Sequence, residues 1–303
     1  MLNYEEFKTI VTEEVEKLIG EDKELRIKEV TKNNNLKLDS LSLLATDGKT
    51  RVVTPMVHLN YLYNSYKEDG VSISEITKRI VDILMSTQPE CAKGIGEIED
   101  YASVKRHLVL KVINYELNKE FLLDVPHLRK MDLALIPLFV VDDGIDTITS
   151  VTIKNTFLNK WNIDVNTLFA DAFNNAPALL KPVCCSLFKA AFTRKYTEFM
   201  SLDEIRLDDN DLLILTNKSK VHGASCMFYP DVLQTIAQKL DSDLIIIPSS
   251  VHEVLIMRRI DNINIEDVND LVNYVNTSEV SVSDVLSDHV YIYNKDEHSL
   301  LMA

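Results

Sequence analysis

The sequence has few of the residues that make tight turns and cross-links. Its 303 residues include seven glycines, eight prolines, four cysteines and one tryptophan. Scarce glycine argues against propeller-like repeats and against the glycine-rich loops that hold nucleotide phosphates. The cysteines show no C-x-x-C spacing, and no second Cys/His pair lies at zinc-ligand spacing. The sequence therefore predicts no cofactor and no metal site.

Long apolar runs and a basic leader are also missing. No apolar run approaches the length that spans a membrane, and the first residues carry acid where a signal peptide carries base. The cysteine pattern suits a reducing compartment. We therefore expect a cytoplasmic protein with no membrane partner.

Positive charge is in short supply, with 32 Lys and Arg against 47 Asp and Glu and a formal net charge of -15 at pH 7. Such a field repels phosphates, so direct nucleic-acid binding is not expected outside a small local basic patch. The excess acid has two interpretations. One is solubility, and the other is mimicry of nucleic acid, in which carboxylates face a protein that normally binds phosphates.

What is present is an ordinary globular composition. Hydrophobic residues make up 46% of the chain and charged residues 26%, which is too apolar for a disordered protein. The length suffices for one large domain or two closely packed ones. The composition alone names no activity.

The first 90 residues predict an α-β-β-α-α unit. Apolar side chains at helical spacing predict a helix over 4–19, and alternation predicts strands over 24–31 and 37–46. Asparagines at 33–35 suit the reversal between those strands, because asparagine tolerates left-handed backbone angles, so they have a conformational explanation as well as a binding one. Thr54-Pro55 predicts the start of the second helix, and Ser72 with Glu75 predicts a capping box for the third.

The periodicity lapses between Met85 and Ile98, which predicts a boundary between residues 1–90 and a domain over 99–303, although both parts can belong to one integrated unit. An apolar run over 133–141 predicts a strand with a turn at Asp142-Asp143-Gly144. Residues 101–123 are ambiguous between helix and strand, and 179–199 give no prediction. We expect an α+β protein whose larger part has a mixed β-sheet flanked by helices.

The stretch from Asp211 to Arg259 organises the larger part. It predicts a strand, a helix beginning at Pro230, and two further strands. Downstream, Asn264 caps a predicted helix with Val268, Leu271 and Val275 facing inward. A short helix near Ser283 and a final hairpin over 289–301 complete the predicted order.

Polar residues gather at the strand ends of this stretch. Polar groups that converge at adjacent strand ends are typical of ligand sites in α/β sheets. The candidate ligand-binding residues are Asn217, Lys218, Ser250, His252 and Glu253.

Ser249, Ser250, His252 and Glu253 also suggest a nucleophile, a base and an acid. In a strand that begins near Ser250, however, residues 250 and 252 share one face and Glu253 points to the other. A third interpretation is structural, with the serines satisfying backbone groups at a chain reversal. No catalytic residue is therefore assigned, and Cys226 is interpreted as a buried small hydrophobe.

Several segments resemble the uncharacterised family DUF5688 across nearly the whole chain. The resemblance lies in Tyr4-Glu5-Glu6-Phe7-Lys8, Val30-Thr31-Lys32-Asn33-Asn34, Leu38-Asp39-Ser40-Leu41, Thr54-Pro55, Leu215-Thr216-Asn217-Lys218, Gly223-Ala224 and Ile247-Pro248-Ser249-Ser250-Val251-His252-Glu253-Val254. It implies a bacterial protein of the Firmicutes, encoded in a setting of mobile elements, but it implies no reaction.

We therefore expect a non-enzymatic binding or regulatory protein with an unknown protein or small-molecule partner. The first alternative is an acidic inhibitor that mimics nucleic acid and blocks a host defence enzyme. The second is a hydrolase or transferase that uses His252 and Glu253.

Overall fold

A computed structural model describes residues 1–20, 23–44, 55–86, 98–143, 148–188, 199–204, 212–260 and 262–303. They form two compact units, residues 1–32 with 36–96 and residues 33–35 with 97–303. Each unit combines helices with antiparallel sheet, which confirms the α+β class. Within the described ranges, no helix has both the length and the apolarity needed to cross a bilayer.

The first unit follows the predicted α-β-β-α-α order, with one short strand added. Its elements are α1 (Tyr4–Ile19), β1 (Glu24–Thr31), β2 (Lys37–Leu44), β3 (Val57–His58), α2 (Leu59–Glu68) and α3 (Ile73–Met85). Asn3 forms a capping box with Glu6 at the start of α1. The buried side chains of Phe7, Val11 and Ile80 belong to one core that the helices and sheet share.

The predicted start of the second helix at Thr54-Pro55 is wrong. Thr54 lies outside the described residues, and Val57–His58 instead pairs with β2 before the helix begins at Leu59. Long-range strand pairing therefore overrides the local signal of a proline at a helix start. The Ser72 cap of α3 is confirmed, because its side chain accepts a hydrogen bond from the Glu75 backbone N–H.

The asparagines at 33–35 adopt the predicted left-handed backbone, with φ of 58° at both Asn34 and Asn35. Asn34 is also buried within the second unit. Its backbone N–H donates to the Asn118 side chain at 2.8 Å, and its own amide donates to the carbonyls of Val282 and Val285. The conformational explanation is therefore observed, together with a hydrogen-bonded structural role.

The second unit contains two sheets. Its helices are α4 (Tyr101–Val104), α5 (Lys119–Leu122), α6 (Asn155–Trp161), α7 (Val165–Leu179), α8 (Val232–Leu240) and α9 (Ile265–Ser278). Its strands are β4 (Leu108–Asn114), β5 (Leu128–Lys130), β6 (Leu133–Asp143), β7 (Ile148–Thr152), β8 (Pro182–Ser186), β9 (Met200–Ser201), β10 (Leu213–Asn217), β11 (Leu244–Ser250), β12 (Glu253–Arg258), β13 (Tyr291–Asn294) and β14 (Ser299–Met302).

The seven-stranded sheet has the order β14-β13-β11-β12-β10-β8-β9. Every strand pair among the described residues is antiparallel, whereas the sequence predicted a mixed sheet. Strands β10 and β11 flank helix α8 in the sequence. Those two strands do run in the same direction, but β12 lies between them and pairs with both.

The other sheet joins β4, β6, β5 and β7. The sequence left residues 101–123 ambiguous between helix and strand, and the structure contains both. Residues 108–114 form a strand, and short helical segments flank it on each side. Strand β6 runs on through Asp142 and Asp143, so the turn predicted there is wrong for these two residues, because they pair with β7. Gly144 lies outside the described residues.

Four further helix predictions need correction. The sequence pattern also predicts a helix over 152–161 and another that Asp164 caps and Asn174-Asn175 ends. Helix α6 begins only at Asn155, and α7 continues past Asn174-Asn175 to Leu179. No helix forms near Ser283, where turns bring Asp284 to the β11–β12 reversal. The inward stripe of α9 is rotated from the prediction, because Val272 and Asn276 are buried while Leu271 is exposed.

Helix α9 covers one face of the seven-stranded sheet. Ile245 and Val272 belong to a small core on that face, whereas Leu244 and Ile246 belong to the large core on the opposite face. The fully apolar run in β11 is thus covered on both faces, as its composition predicted.

Tyr291 of β13 is the largest fully buried side chain and carries a polar group into the core. Its hydroxyl donates to Asp132 Oδ1 at 2.8 Å, and Ser287 donates to Asp132 Oδ2 at 2.6 Å. Burial raises the pKa of Tyr291, and the Asp132 carboxylate adds to the shift. One carboxylate therefore accepts two hydrogen bonds from the segment that leads into β13.

We expect Tyr291→Phe to lower the free energy of unfolding by about 1–3 kcal/mol, because the Asp132 carboxylate loses a partner in a buried environment. Urea unfolding followed by the fluorescence of Trp161 measures the change in this unit. Tyr274→Phe is the matched control, since Tyr274 is 68% exposed. Equal midpoints for the two variants would contradict the role of this hydrogen bond.

Candidate functional site

The predicted site residues lie at one end of the seven-stranded sheet, where β10 ends and the β11–β12 reversal begins. Asn217 is the last residue of β10, and Lys218 follows it. Ser250 ends β11, Glu253 begins β12, and the two pair across the reversal that contains His252. The structure therefore brings the strand ends that carry all five residues together at one end of the sheet.

The predicted course of the chain around Ser250 is wrong. The sequence suggested that Pro248 ends one strand and that the next begins near Ser250. Strand β11 instead continues to Ser250, with an irregular register between Ile247 and Ser250 that accommodates a residue without a backbone N–H. His252 therefore occupies a turn, and alternation of strand faces does not govern its orientation relative to Glu253.

The serine hydroxyls at this reversal bond to backbone groups. Ser249 Oγ donates to the Glu253 carbonyl at 2.9 Å, and Ser250 Oγ accepts from the His252 backbone N–H at 3.1 Å. These contacts match the structural interpretation of the two serines. A catalytic serine would instead bond to an imidazole nitrogen, and neither of these hydrogen bonds does so.

Gly223 is packed against both strand ends. A Cβ atom at this position would lie 2.1 Å from Thr216 Oγ1, 2.5 Å from the His252 carbonyl oxygen and 2.7 Å from the Asn217 nitrogen. Glycine is needed here because no larger side chain fits between these backbones. The Thr216 hydroxyl closes the same junction by donating to the His252 carbonyl at 2.8 Å.

His222 precedes that glycine and adopts a left-handed backbone with φ of 58°. Its backbone N–H donates to His252 Nδ1 at 3.3 Å, and the two imidazole rings stack with centroids 5.8 Å apart. Burial lowers the pKa of His222 to about 3, and the positive charges of Lys111 and His252 act in the same direction. His222 is therefore an uncharged imidazole at neutral pH.

His252 faces solvent on its other side, next to Asp284. Its Nε2 lies 3.6 Å from Asp284 Oδ1, and the two side chains are 37% and 38% exposed. This distance exceeds that of a well-formed hydrogen bond. The interaction with His252 lowers the pKa of Asp284, although partial burial opposes the shift.

The Asp284 backbone is fixed independently of its side chain. Its carbonyl accepts a hydrogen bond from the Val251 N–H at 2.8 Å, so the loop before β13 is attached to the β11–β12 reversal. No motif in the sequence indicated this contact, because Asp284 is more than thirty residues from His252. His222 and Gly223 did have a signal, since they lie just after β10, and a lone glycine there indicates close backbone approach.

Two buried side-chain atoms of the described residues have no hydrogen-bond partner within the protein: Asn217 Oδ1 and His222 Nδ1. Asn217 is fully buried, and its amide nitrogen donates to the Val221 carbonyl at 2.7 Å. Buried polar atoms are nearly always paired, so each can form one further hydrogen bond. Burial also raises the pKa of Glu253, which the charges of His252 and Lys220 partly offset.

The described cysteines of the second unit are not suited to nucleophilic chemistry. Cys184, Cys185 and Cys226 are buried free thiols, and burial raises the pKa of each, which makes them poor nucleophiles. In the part of the chain that the structure describes, no three His, Cys, Asp or Glu side chains are grouped closely enough to hold a metal ion. Cys91 lies outside that part.

A separate surface cavity of about 390 Å³ contains none of the predicted site residues. Its lining includes Met131, Met227, Tyr229, Asp231, Tyr293 and Leu300. His252 and Asp284 lie outside this cavity, although Asp231 and Gln234 of its lining are also polar and solvent-accessible. Because none of the five predicted residues lines this cavity, we place the candidate site at the strand ends.

The profile of a family of unknown function, DUF5688, matches residues 4–295. Because the match covers nearly the whole sequence, the chain belongs to this family, as the segments named above predicted. No curated protein and no solved structure gives a significant match. The family assignment brings no reaction, ligand or partner with it.

Gly223→Ala tests whether the close approach holds the site together. We expect the substitution to destabilise the second unit by roughly 1–3 kcal/mol or more, because the new methyl group must displace backbone atoms of two strand ends. Thermal unfolding followed by Trp161 fluorescence measures the loss. Lys218→Ala is the neighbouring control, since Lys218 is exposed. A Gly223→Ala protein as stable as the control would show that the junction can relax.

Proposed function

We propose that the chain is a binding protein and that its strand-end site recognises a small polar ligand. The recognition site comprises Asn217, Lys218, Ser250, His252 and Glu253, with His222 and Asp284 added by the structure. The observation that carries the proposal is the loose, half-exposed pair of His252 Nε2 and Asp284 Oδ1, 3.6 Å apart.

The arrangement of this pair suggests the chemistry of the ligand. Because His252 Nδ1 accepts from the His222 N–H, the ring proton of a neutral His252 lies on Nε2 and points toward Asp284. A ligand hydroxyl or carboxamide between them can accept from Nε2–H and donate to the carboxylate. We therefore propose a ligand that carries a hydroxyl or carboxamide group.

The same geometry favours recognition over catalysis. His252 Nδ1, the unprotonated nitrogen that would have to act as the base, already accepts the His222 backbone N–H, so a role as general base requires that hydrogen bond to break. His222 is a weak base because its pKa is lowered to about 3. Hydrolase or transferase chemistry through His252 and Glu253 is therefore the weaker candidate.

Mimicry of nucleic acid has less support. A mimic needs carboxylates spread over one surface at the spacing of phosphates. The described acidic residues of α9 are instead interrupted by exposed apolar side chains, including Leu271 and Tyr274. A cytosolic setting is supported by the free thiols of the three described cysteines, which suit a reducing compartment. The bacterial and mobile-element setting is part of this proposal and is based on the resemblance of the sequence segments alone.

The proposal is tested by equilibrium dialysis against a protein-free extract of small molecules from bacterial cells, with retained compounds identified by mass spectrometry. We expect the wild type to retain a hydroxyl- or carboxamide-bearing compound that Asp284→Ala retains at least tenfold less. Asp296→Ala is the control, because it removes an exposed carboxylate of the β13–β14 turn, which lies toward the start of β11 and away from Ser250 at its end. Retention that is absent in the wild type, or equal in all three proteins, would contradict a ligand site at Asp284.

A further inference from the structure

Helix α9 has a second apolar face, whose side chains are exposed in the described part of the chain. Its buried line, with Val272 and Asn276, packs on the seven-stranded sheet. On the outer side, Leu271, Tyr274 and Val275 are 60%, 68% and 36% exposed. Residues three and four positions apart lie on the same side of a helix, so these three side chains form one continuous patch.

Carboxylates lie at both ends of this patch. Asp267 is one helical turn before Leu271, and Asp270 is one turn before Tyr274, while Glu279 is one turn after Val275. All three acidic residues are exposed. The patch, the α9 face, is therefore apolar in the middle and negative at each end.

No cationic side chain in the surrounding sequence offsets this charge. Residues 260–294 contain seven Asp and Glu and no Lys or Arg, although the whole chain has 32 basic residues. Arg259, just before this stretch, is directed to Asp243 at 3.7 Å. The formal charges of α9 and of the segments next to it in the sequence are consequently all negative, apart from His289, which favours a positively charged partner.

We propose that the α9 face docks a basic amphipathic helix of another protein. Apolar side chains of that helix pack on Leu271, Tyr274 and Val275, and its Lys or Arg residues meet Asp267 and Asp270 at one end and Glu279 at the other. Asp267 and Glu279 are twelve positions apart, so the partner's basic groups are spaced by about 18 Å along the helix. A second copy of this chain fits less well, because it brings carboxylates against carboxylates.

A synthetic helical peptide with a leucine stripe and lysines at both ends is the probe. We expect it to bind the full chain in fluorescence anisotropy, with weaker binding at high salt because the ion pairs are exposed. The double variant Leu271→Ser/Tyr274→Ser lowers the affinity at least tenfold. A peptide with glutamates in place of the lysines does not bind.

Leu123→Ser is the matched control, since Leu123 is 82% exposed and follows the last residue of α5, away from α9 in the sequence. Circular dichroism checks that all variants fold, which the exposure of the changed side chains favours. Equal affinity for the double variant and the control would overturn the proposal, because it would show attraction by net charge alone. Failure of the peptide to bind the wild type would overturn it as well.

Light scattering tests whether a second copy of the chain occupies the α9 face. If the wild type is a dimer that the double variant converts to a monomer, the α9 face is occupied by a second copy, and the proposal is wrong. Asp284→Ala is expected to retain peptide binding, so a failure of the strand-end ligand site and a failure of the α9 face are distinguishable.

Discussion

The candidate site depends on the close approach of three backbones at Gly223. The glycine lies against the last two residues of β10 and against the His252 carbonyl, at distances that exclude a Cβ atom. Thr216 and Val251 close the same junction through hydrogen bonds to His252 and Asp284. Because these contacts are made largely by backbone, they position the imidazole and carboxylate groups before any ligand binds.

The junction gives its two histidines different properties. His222 is buried and uncharged at neutral pH, and it supports the His252 ring by stacking and by a backbone hydrogen bond. His252 is half-exposed and faces a carboxylate across a gap longer than a hydrogen bond. The His222 imidazole thus supports the local structure, whereas the His252 imidazole can still form a hydrogen bond to a ligand. This difference is why the geometry supports the proposal of a binding site at this end of the sheet.

Local signals predicted much of the fold but little of the site. Helix α1, strand β1 and the cap of α9 at Asn264 match their predictions because each depends on neighbouring residues. The antiparallel sheet, by contrast, depends on β12 lying between β10 and β11, which no local pattern specifies. Asp284 is brought to His252 by a loop without periodicity, and the inward position of Asn276 depends on its hydrogen bonds to residues 287 and 288.

The most direct test of the preformed site is a pH titration of the histidine ring carbons by nuclear magnetic resonance. Enclosure predicts that His222 stays neutral down to pH 4 and titrates with a pKa of about 3, below the ordinary value of 6.5. Since the unfolded state binds this proton more readily, the free energy of unfolding should fall as the pH drops from 6.5 toward 3. Titration of His222 near pH 6.5 would show an open ring and contradict the account.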